Sequence, residues 1–471
     1  MMNINKKDLV LVYEDNKRIL DKPLESKRIG YYQDSWNRFK KNKASFVAFI
    51  IICIILFFVT FGPYMRGYDL NNENPVEASR LANLVPKVPL LDKAGIFDGT
   101  KKIEAGKMFL LDMNSNAMGE GIILSGIPQE LIDNPDHPDY EDVSKLEVVV
   151  DHYRYTNYIS SFKPERYYSI VKQNEINGTD DDPLAEVKRT LTQAEFQEEL
   201  GKNTVIDILQ ILETENPEDP NKPFFQYIVR LDQFKSSLGV SNPSSVYFWF
   251  GTTDKGGDLF TELWLGARVS ILMALAVISL NAVIGLTIGS VVGYYGGAFD
   301  LIMDRFVEIV SSIPFLSVLT LLTLRFGSAI WVIIFAFVAT GWIYNYRIGR
   351  MQFYRFKNRE YVFAARTLGA SDGRIMLKHI FPNTLGLIVT NLALSIPLFV
   401  YTEASFSFLG IIEYANATSV GMLINQGVAV MMHHPHLLMF PAGYIAILMI
   451  AFNLFGNGLR DAFNPSLRGV E

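Results

Sequence analysis

Apolar residues in this chain fall into long blocks that are separated by polar segments. The first block, residues 44–62, carries no charged side chain. A helix needs about 20 residues to cross a hydrocarbon core of about 30 Å, and backbone inside lipid must satisfy its own hydrogen bonds, as a long apolar run does when helical. The pattern predicts six transmembrane helices, near residues 44–62, 266–292, 306–324, 328–346, 384–410 and 437–455.

The polar segment between the first two blocks, residues 63–258, has a different pattern. Residues 145–159 and 224–231 are rich in strand-forming residues and partly alternate, which predicts two strands. Thr192 and Glu195 have the spacing of a capping box and predict the start of a helix. The segment is long enough to be a domain. The predicted fold is an all-α polytopic membrane protein with an inserted α+β domain.

The distribution of charge predicts the orientation of the helices. Residues 1–43 hold eleven Lys and Arg against six acidic residues, and residues 347–378 hold eight against two. Because basic residues favour the cytoplasmic side, both segments and the C-terminal tail, residues 460–471, are expected in the cytoplasm. Residues 63–258 then lie outside, with 33 acidic and 19 basic residues, a net charge of −14 against −6 for the whole chain.

The sequence offers no catalytic constellation. It contains no Walker P-loop, GxSxG or HExxH motif, and the positions of the basic residues are explained by topology rather than by nucleic-acid binding. We therefore predict a non-enzymatic protein that holds no cofactor or metal. His433, His434 and His436 have the chemistry to hold a soft divalent metal, but the favoured interpretation is a turn at the membrane interface.

One polar segment between apolar blocks, residues 360–383, is more elaborate than a simple connection. It has two adjacent alanines, a glycine break, a new helix start at Ser371 or Asp372, and a proline expected to end that helix. The segment resembles the "EAA" coupling loop of bacterial ABC-importer permeases, although Phe363 stands where that family has Glu. The resemblance implies a short helix that docks on a cytoplasmic ATPase through Glu360, Ala364, Ala365, Gly369, Ala370, Ser371, Asp372, Ile380 and Pro382.

Further motifs are similar to permease subunits of oligopeptide and dipeptide importers, of the second-permease type. They are FGTTDKGGD at residues 250–258 with GARVS at 266–270, EASFSFLG at 403–410, and FNLFGNGLRD at 452–461. Two departures are Gly257, where the family has Arg, and Thr261-Glu262, where it has Ser-Arg. The outer segment is longer than the loop usual in the family.

The resemblance implies the organisation and the partners of the protein. The expected partners are a homologous permease, two cytoplasmic ATPase subunits that bind ATP-Mg, an extracytoplasmic peptide-binding protein or lipoprotein, and membrane lipid. The expected location is the plasma membrane, with both termini cytoplasmic. The expected segments are a cytoplasmic segment 1–43, a first helix 44–62, an outer domain 63–258, a permease core 259–459 with the coupling loop 347–383, and a tail 460–471.

Polar and proline residues inside the predicted spans are candidates for lining a translocation path, because such residues are costly in lipid and tend to face a cavity or another helix. Helix-to-helix hydrogen bonding is an equally good interpretation for each. A charge pair between Glu403 and Arg325 is a further hypothesis, as an outer gate. The path candidates are Asn281, Ser311, Ser312, Pro314, Asn391, Ser395, Pro397 and Glu403.

Two alternatives remain open from the sequence. One keeps the transport function and changes the cargo to dipeptides, nickel chelates or glycosides. The other is a membrane-anchored receptor in which residues 63–258 bind the ligand. The coupling loop favours the importer, because a receptor needs a cytoplasmic signalling module and the sequence shows only short tails there.

Overall fold

The structure is a computed structural model that describes residues 31–65, 81–115, 120–134, 137, 145–161, 189–214, 224–414 and 417–463. Within these ranges it contains a bundle of apolar helices and a separate set of short helices and strands. The helices are α1 (Tyr31–Lys41), α2 (Lys43–Phe61), α3 (Lys107–Ser115), α4 (Gln129–Asp133), α5 (His152–Ser161), α6 (Gln193–Gly201), α7 (Gln233–Leu238), α8 (Leu259–Tyr295), α9 (Gly297–Ser311), α10 (Phe315–Phe326), α11 (Ile330–Phe356), α12 (Glu360–Thr367), α13 (Asp372–Arg374), α14 (Phe381–Phe408), α15 (Val420–Val430) and α16 (His436–Phe463).

Five helical stretches in the described part of the chain are long and apolar enough to cross a membrane, and a bent pair of helices makes up to six. The five are Lys43–Tyr64, Leu259–Tyr295, Ile330–Phe356, Asp372–Phe408 and His436–Phe463.

The third predicted span, residues 306–324, is interrupted near its middle by a bend, as a proline at position 314 predicts. Two helices, α9 and α10, meet there at 66°. Pro314 lies at the break and precedes the first residue of α10. Proline has no backbone N–H and disfavours helical geometry in the residue before it, which accounts for the break. Pro397, by contrast, lies inside α14, which continues through it.

The expectation that Pro382 ends a helix is wrong. A π-helical turn, Ile375–Ile380, links α13 to α14, and Pro382 lies in the first turn of α14. Proline is tolerated in a first helical turn because its missing N–H would have no partner inside the helix. The segment after Ser371 therefore runs directly into the bundle as one rigid rod.

Helices α8 and α11 pack closely along a row of glycines. Three glycines at four-residue spacing, Gly285, Gly289 and Gly293, face the α11 backbone. A Cβ at any of the three would meet backbone atoms of α11, at Trp342, Tyr346 or Arg350. Small residues allow such close approach between helices in a membrane. The two helices therefore form a tightly joined pair.

The first apolar helix, α2, packs on α16 and is tied to α8. Ser45 Oγ donates a hydrogen bond of 3.0 Å to the Leu454 carbonyl. Arg268 donates to the carbonyls of Val59 and Thr60, at 3.0 and 2.8 Å. A cation at the end of a helix where carbonyls lack partners is favourable. These contacts fix α2 against the rest of the bundle.

In its described residues the inserted region contains two three-stranded antiparallel sheets, ordered β1-β3-β2 and β4-β6-β5. The predicted capping box opens α6 through Thr192 and Glu195, and the strand predicted at residues 224–231 is β6. The strands are β1 (Thr100–Gly106), β2 (Ile123–Ser125), β3 (Lys145–Asp151), β4 (Arg189–Thr192), β5 (Val205–Thr214) and β6 (Phe224–Leu231).

The strand predicted over residues 145–159 is half wrong, because it ends at Asp151 and α5 follows. The Asp151 carboxylate accepts hydrogen bonds from the backbone N–H groups of Tyr153 and Arg154, at 3.0 and 3.3 Å. An aspartate in that position satisfies the first donors of a helix. The cap outweighs the strand propensity of the Tyr residues that follow.

The junction between the insert and α8 is a rigid turn. Gly251 and Gly256 have positive φ angles of 81° and 83°, which glycine adopts without steric penalty. Thr252 Oγ1 accepts from the Leu84 N–H at 2.8 Å. The side chain of Asp258 caps α8. The insert is thereby held directly on the helix bundle.

Candidate functional site

The predicted coupling segment forms a helix, a turn and a second helical start. Helix α12 covers Glu360–Thr367. Gly369 follows it with a φ of 82°, in the left-handed region that glycine favours at a helix end. Ser371 lies immediately before α13 in extended geometry. The glycine break and the new start both occur where the sequence predicts them.

One face of this segment is buried against the bundle. Val362 and Ile375 are fully buried and Ala365 is 8% exposed. They form a cluster with Tyr294, at the end of α8, and Phe353, near the end of α11. Small and branched side chains here let α12 lie close to both helices. The segment is therefore packed on the joined α8–α11 pair.

The opposite face presents apolar side chains outward. Phe363 is 49% exposed, Leu377 is 70% exposed and Leu368 is 88% exposed. A group of exposed large apolar residues commonly marks a protein interaction site. Ala364 belongs to this outward face while Ala365 belongs to the buried one. The two adjacent alanines therefore have different surroundings.

The remaining predicted coupling residues follow the same division. Ile380 is fully buried, and Ala370 is partly buried against the inner cluster. The exposed members are Glu360, Gly369, Ser371, Asp372 and Pro382.

A polar cluster joins the segment to α8. The Tyr294 hydroxyl donates to the Asp372 carboxylate at 2.5 Å and accepts from Arg366 Nη2 at 3.1 Å. Lys357 Nζ donates to the carbonyls of Gly293 and Tyr294, at 3.0 and 3.2 Å. Hydrogen bonds to charged groups are stronger than neutral ones. They connect both halves of the segment to the last turn of α8.

A second ionic contact stabilises the same end of the bundle. Arg350 on α11 makes two hydrogen bonds to the Asp300 carboxylate on α9, at 2.5 and 3.0 Å. Asp304 lies 3.4 Å from the same guanidinium. A two-point contact of this kind fixes orientation as well as distance. Helix α9 is thereby held against α11 on the N-terminal side of the break at Pro314.

Glu403, a path candidate, is sealed inside the bundle. It is fully buried. Its carboxylate accepts from Ser270 Oγ at 2.7 Å, from the Tyr414 hydroxyl at 2.8 Å and from Ser407 Oγ at 3.2 Å. Burial, and next the carboxylate of Glu403, raise the pKa of Tyr414, which keeps its hydroxyl a donor. The three donors come from α8, α14 and the segment after α14.

The hypothesis of a Glu403–Arg325 gate is wrong in this structure. Arg325 lies exposed at the end of α10, whereas the carboxylate of Glu403 is enclosed by its three hydroxyl donors. Glu403 therefore joins helices together instead of facing an exposed cation.

The other path candidates do not form one cluster. Asn281 is 7% exposed and faces Gly341 on α11. Ser395 Oγ donates to the Asn391 carbonyl at 2.8 Å, within α14. The Pro397 side chain is buried. Ser311, Ser312 and Pro314 are exposed at the α9–α10 break.

Comparisons with known proteins match the helical part of the chain. A model of the N-terminal TM domain of oligopeptide transport permease C matches residues 30–86. A model of the binding-protein-dependent transport system inner membrane component matches residues 285–469. The oligopeptide transport system permease protein OppC of Bacillus subtilis is 42% identical over 231 residues, which are 49% of this chain and 76% of the relative. The chain belongs to the OppC/DppC family of transport permeases.

Another relative and a solved structure each align with about half of this chain or less. The dipeptide transport system permease protein DppC of Bacillus subtilis is 40% identical over 50% of this permease and 74% of the relative. An inward-facing structure of the MetNI methionine ABC transporter aligns at a TM-score of 0.36 and 17% identity, over 42% of this permease and 94% of that chain. Residues 87–284 lie outside both family models.

The histidines before α16 contact the insert of the permease. His434 Nε2 lies 3.5 Å from Lys101 Nζ, and its ring lies 6.5 Å from that of His152. Burial, then the charge of Lys101, lower the pKa of His434 to about 4. Burial also lowers the pKa of His152. Among the described residues, no group of three or more His, Cys, Asp and Glu side chains has the arrangement of a metal site.

Sequence reasoning missed two parts of the site. Tyr294 lies two residues beyond the second predicted span, residues 266–292, and nothing in its spacing distinguishes it from an interfacial aromatic residue. Arg366 is one of eight basic residues in the segment 347–378, and nothing in the sequence distinguishes it from the others. The glycine repeat that ends at Gly293 was a detectable signal, because glycines four residues apart in an apolar helix indicate a helix contact.

Proposed function

We propose that this permease is one half of the membrane channel of an ATP-driven importer, and that α12 is the element that a separate ATPase subunit moves. The two-faced packing of the α12 segment carries the proposal. Its inner face is packed on α8 and α11, while Phe363, Leu368 and Leu377 face outward. A force applied to the outer face is therefore transmitted to two membrane helices.

The proposed topology has six crossings, with α9 and α10 together as one. In this arrangement the α12 segment and both termini lie in the cytoplasm, where Lys and Arg are favoured. The insert and the Glu403 cluster then lie on the outer side. The positions of the basic residues in the segments 1–43 and 347–378 support this orientation.

The proposed cargo is oligopeptides. The relative at 42% identity is described as an oligopeptide transport permease, and the one at 40% as a dipeptide transport permease. Dipeptides are therefore the second candidate. A homologous permease completes the path, and an extracytoplasmic binding protein or lipoprotein delivers the peptide. The permease itself is proposed to be non-catalytic, with ATP-Mg held by the two ATPase subunits.

The proposed path uses the polar positions of the membrane helices at the interface with the partner permease. Exposed Ser311 and Ser312 at the α9–α10 break and half-buried Asn391 and Ser395 on α14 are the positions with accessible polar atoms. The sealed Glu403 acts in this scheme as a structural joint at the outer end.

A crosslinking experiment tests the coupling proposal. The native complex is purified through a tagged chain in which Cys53→Ser removes the single cysteine and Leu368→Cys places a thiol on the outward face. Leu368 is 88% exposed, so a bifunctional thiol reagent is expected to join it to an ATP-binding subunit. Met432→Cys is the matched control, since Met432 is 83% exposed in the turn before α16.

The outcomes separate orientation, coupling and cargo. Labelling of Leu368→Cys by a membrane-impermeant maleimide from outside intact cells contradicts the topology. Failure of Leu368→Cys to crosslink to a copurified ATPase contradicts coupling through α12. ATP-dependent uptake of a labelled peptide digest by proteoliposomes that contain the complex is expected, and its absence contradicts the peptide cargo alone.

A further inference from the structure

Three separate elements meet at the hydroxyl group of Tyr294. Tyr294 is 6% exposed and lies at the end of α8. Its hydroxyl donates to Asp372 at the start of α13 and accepts from Arg366 in the last turn of α12. A phenol is able to donate and accept at once. It therefore links an anion and a cation on the two sides of the Gly369 turn.

The last turn of α8 is itself held firmly. Gly293, next to Tyr294, is so close to the α11 backbone that a Cβ would meet Arg350. Lys357 Nζ donates to the carbonyls of Gly293 and Tyr294. A cation at the carboxyl end of a helix also stabilises it. The Tyr294 hydroxyl is therefore attached to the α8–α11 pair and not to a loose end.

The ring and the hydroxyl of Tyr294 have separable functions. The ring packs in the cluster with Phe353, Val362 and Ile375, and this contact survives removal of the hydroxyl. The hydroxyl alone makes the bonds to Asp372 and Arg366. Replacement by Phe therefore removes the polar link while it preserves the buried surface.

We propose that Tyr294 is the positioning residue that transmits movement of the α12 segment to the α8–α11 pair. This inference rests on the proposed function, in which an ATPase subunit moves α12. Without the hydroxyl, α12 still docks on the ATPase, but part of its movement is lost as sliding over the apolar cluster. Nucleotide hydrolysis then continues with less transport.

The test compares Tyr294→Phe with Tyr295→Phe in the native complex. Tyr295 is the next residue and is 59% exposed, so its variant controls for loss of one phenol at the same helix end. Both complexes are reconstituted in proteoliposomes, and ATP hydrolysis and uptake of a labelled peptide digest are measured together. The ratio of peptide imported to ATP hydrolysed is expected to fall roughly tenfold in Tyr294→Phe, as for loss of a hydrogen-bond link to charged groups, and to stay unchanged in Tyr295→Phe.

A second variant and a second readout keep the result unambiguous. Asp372→Asn removes the charge from the same link, and its effect on the ratio is expected to be non-additive with that of Tyr294→Phe. Crosslinking of Leu368→Cys to the ATPase is expected to persist in Tyr294→Phe, because docking does not need the hydroxyl. Ala365→Pro, which breaks α12, serves as the reference for lost coupling.

Two outcomes contradict the inference. In one, Tyr294→Phe keeps the wild-type ratio while Ala365→Pro abolishes uptake, so that α12 couples by another route and the proposed function stands. In the other, Tyr294→Phe abolishes the crosslink together with transport, so that the hydroxyl serves docking. A third outcome concerns the proposed function and not this inference. If Ala365→Pro itself takes up peptide normally, α12 is not the coupling element.

Discussion

Helix α8 contributes to a polar cluster toward each of its ends, Ser270 to one and Tyr294 to the other, but the two clusters are built differently. At one end Glu403 is fully buried and accepts from three hydroxyl groups. At the other end Tyr294 is buried, whereas the charged groups it joins, on Arg366 and Asp372, belong to exposed residues. The first cluster is closed to solvent and the second is open.

The difference in solvent exposure separates an end of α8 that is fixed in the bundle from an end that is proposed to move with the α12 segment. When one partner is removed from a buried polar cluster, the remaining polar groups have neither water nor another protein group to bond to. Separating such a cluster therefore costs a large free energy. The charged partners of Tyr294 lie at the surface, where water is able to replace a lost hydrogen bond. The Glu403 end is therefore a fixed joint, whereas the Tyr294 end, with its charged partners at the surface, is proposed to move together with the α12 segment during a transport cycle.

Removal of the Glu403 carboxylate is the most direct way to break the comparison. Glu403→Ala leaves the hydroxyls of Ser270, Ser407 and Tyr414 without their acceptor and creates a cavity. A loss of about 3 kcal/mol in the free energy of unfolding is expected, measured by thermal unfolding in detergent. Glu413→Ala is the control, because it removes the same side chain from an exposed site ten residues further along the chain. Equal stability of the two variants would refute the fixed joint.

The α8–α11 contact, which lies between the two clusters, gives the next largest effect. Gly289→Leu places a side chain against the Tyr346 backbone and is expected to destabilise the bundle by about 2 kcal/mol, a typical cost of overpacking. Gly443→Leu is the control, since a Cβ at Gly443 meets no atom within 4 Å. Thermal unfolding measures both. If Gly289→Leu is as stable as the control, helices α8 and α11 do not need to pack this closely.

Lowering the pH is expected to give the smallest effect on stability. It tests a third polar contact, between His434 and the insert. His434 is neutral at pH 7, because its pKa is lowered from 6.5 to about 4 by burial and then by Lys101. A lowered pKa in the folded state means that stability is complete above pH 6.5 and is lost as the pH falls toward 4. A modest fall in melting temperature over this range is expected. His434→Gln should remove part of this fall, since the pKa of His152 is also lowered by burial, and an unchanged pH profile would contradict the burial of the His434 ring.

Local signals in the sequence predicted local structure well. The strand at residues 224–231, the capping box at Thr192, the glycine turn at Gly369 and the helix start at Ser371 all occur as predicted. Each depends on neighbours within a few residues. The prediction for Pro382 was wrong because the proline lies in the first turn of α14, directly after a π-helical turn, and the local pattern does not reveal this arrangement.

Contacts between distant residues could not be predicted in the same way. Tyr294 and Asp372 are 78 positions apart, and Ser270 and Glu403 are 133 apart. No short-range pattern indicates which hydroxyl will meet which carboxylate. The expected Glu403–Arg325 pair failed for this reason, since placing both residues near one end of the bundle did not determine their partners.

The motifs of the chain resemble those of permeases, and the sequence by itself determined apolar helices, an inserted acidic region and a two-part segment built around Gly369. These properties follow from hydropathy, charge and turn chemistry, which act over short distances. The tertiary structure alone decided that Glu403 is sealed and that Tyr294 joins α12 to α8. Burial and hydrogen bonding depend on where helices cross, and that geometry arises only when the whole chain packs.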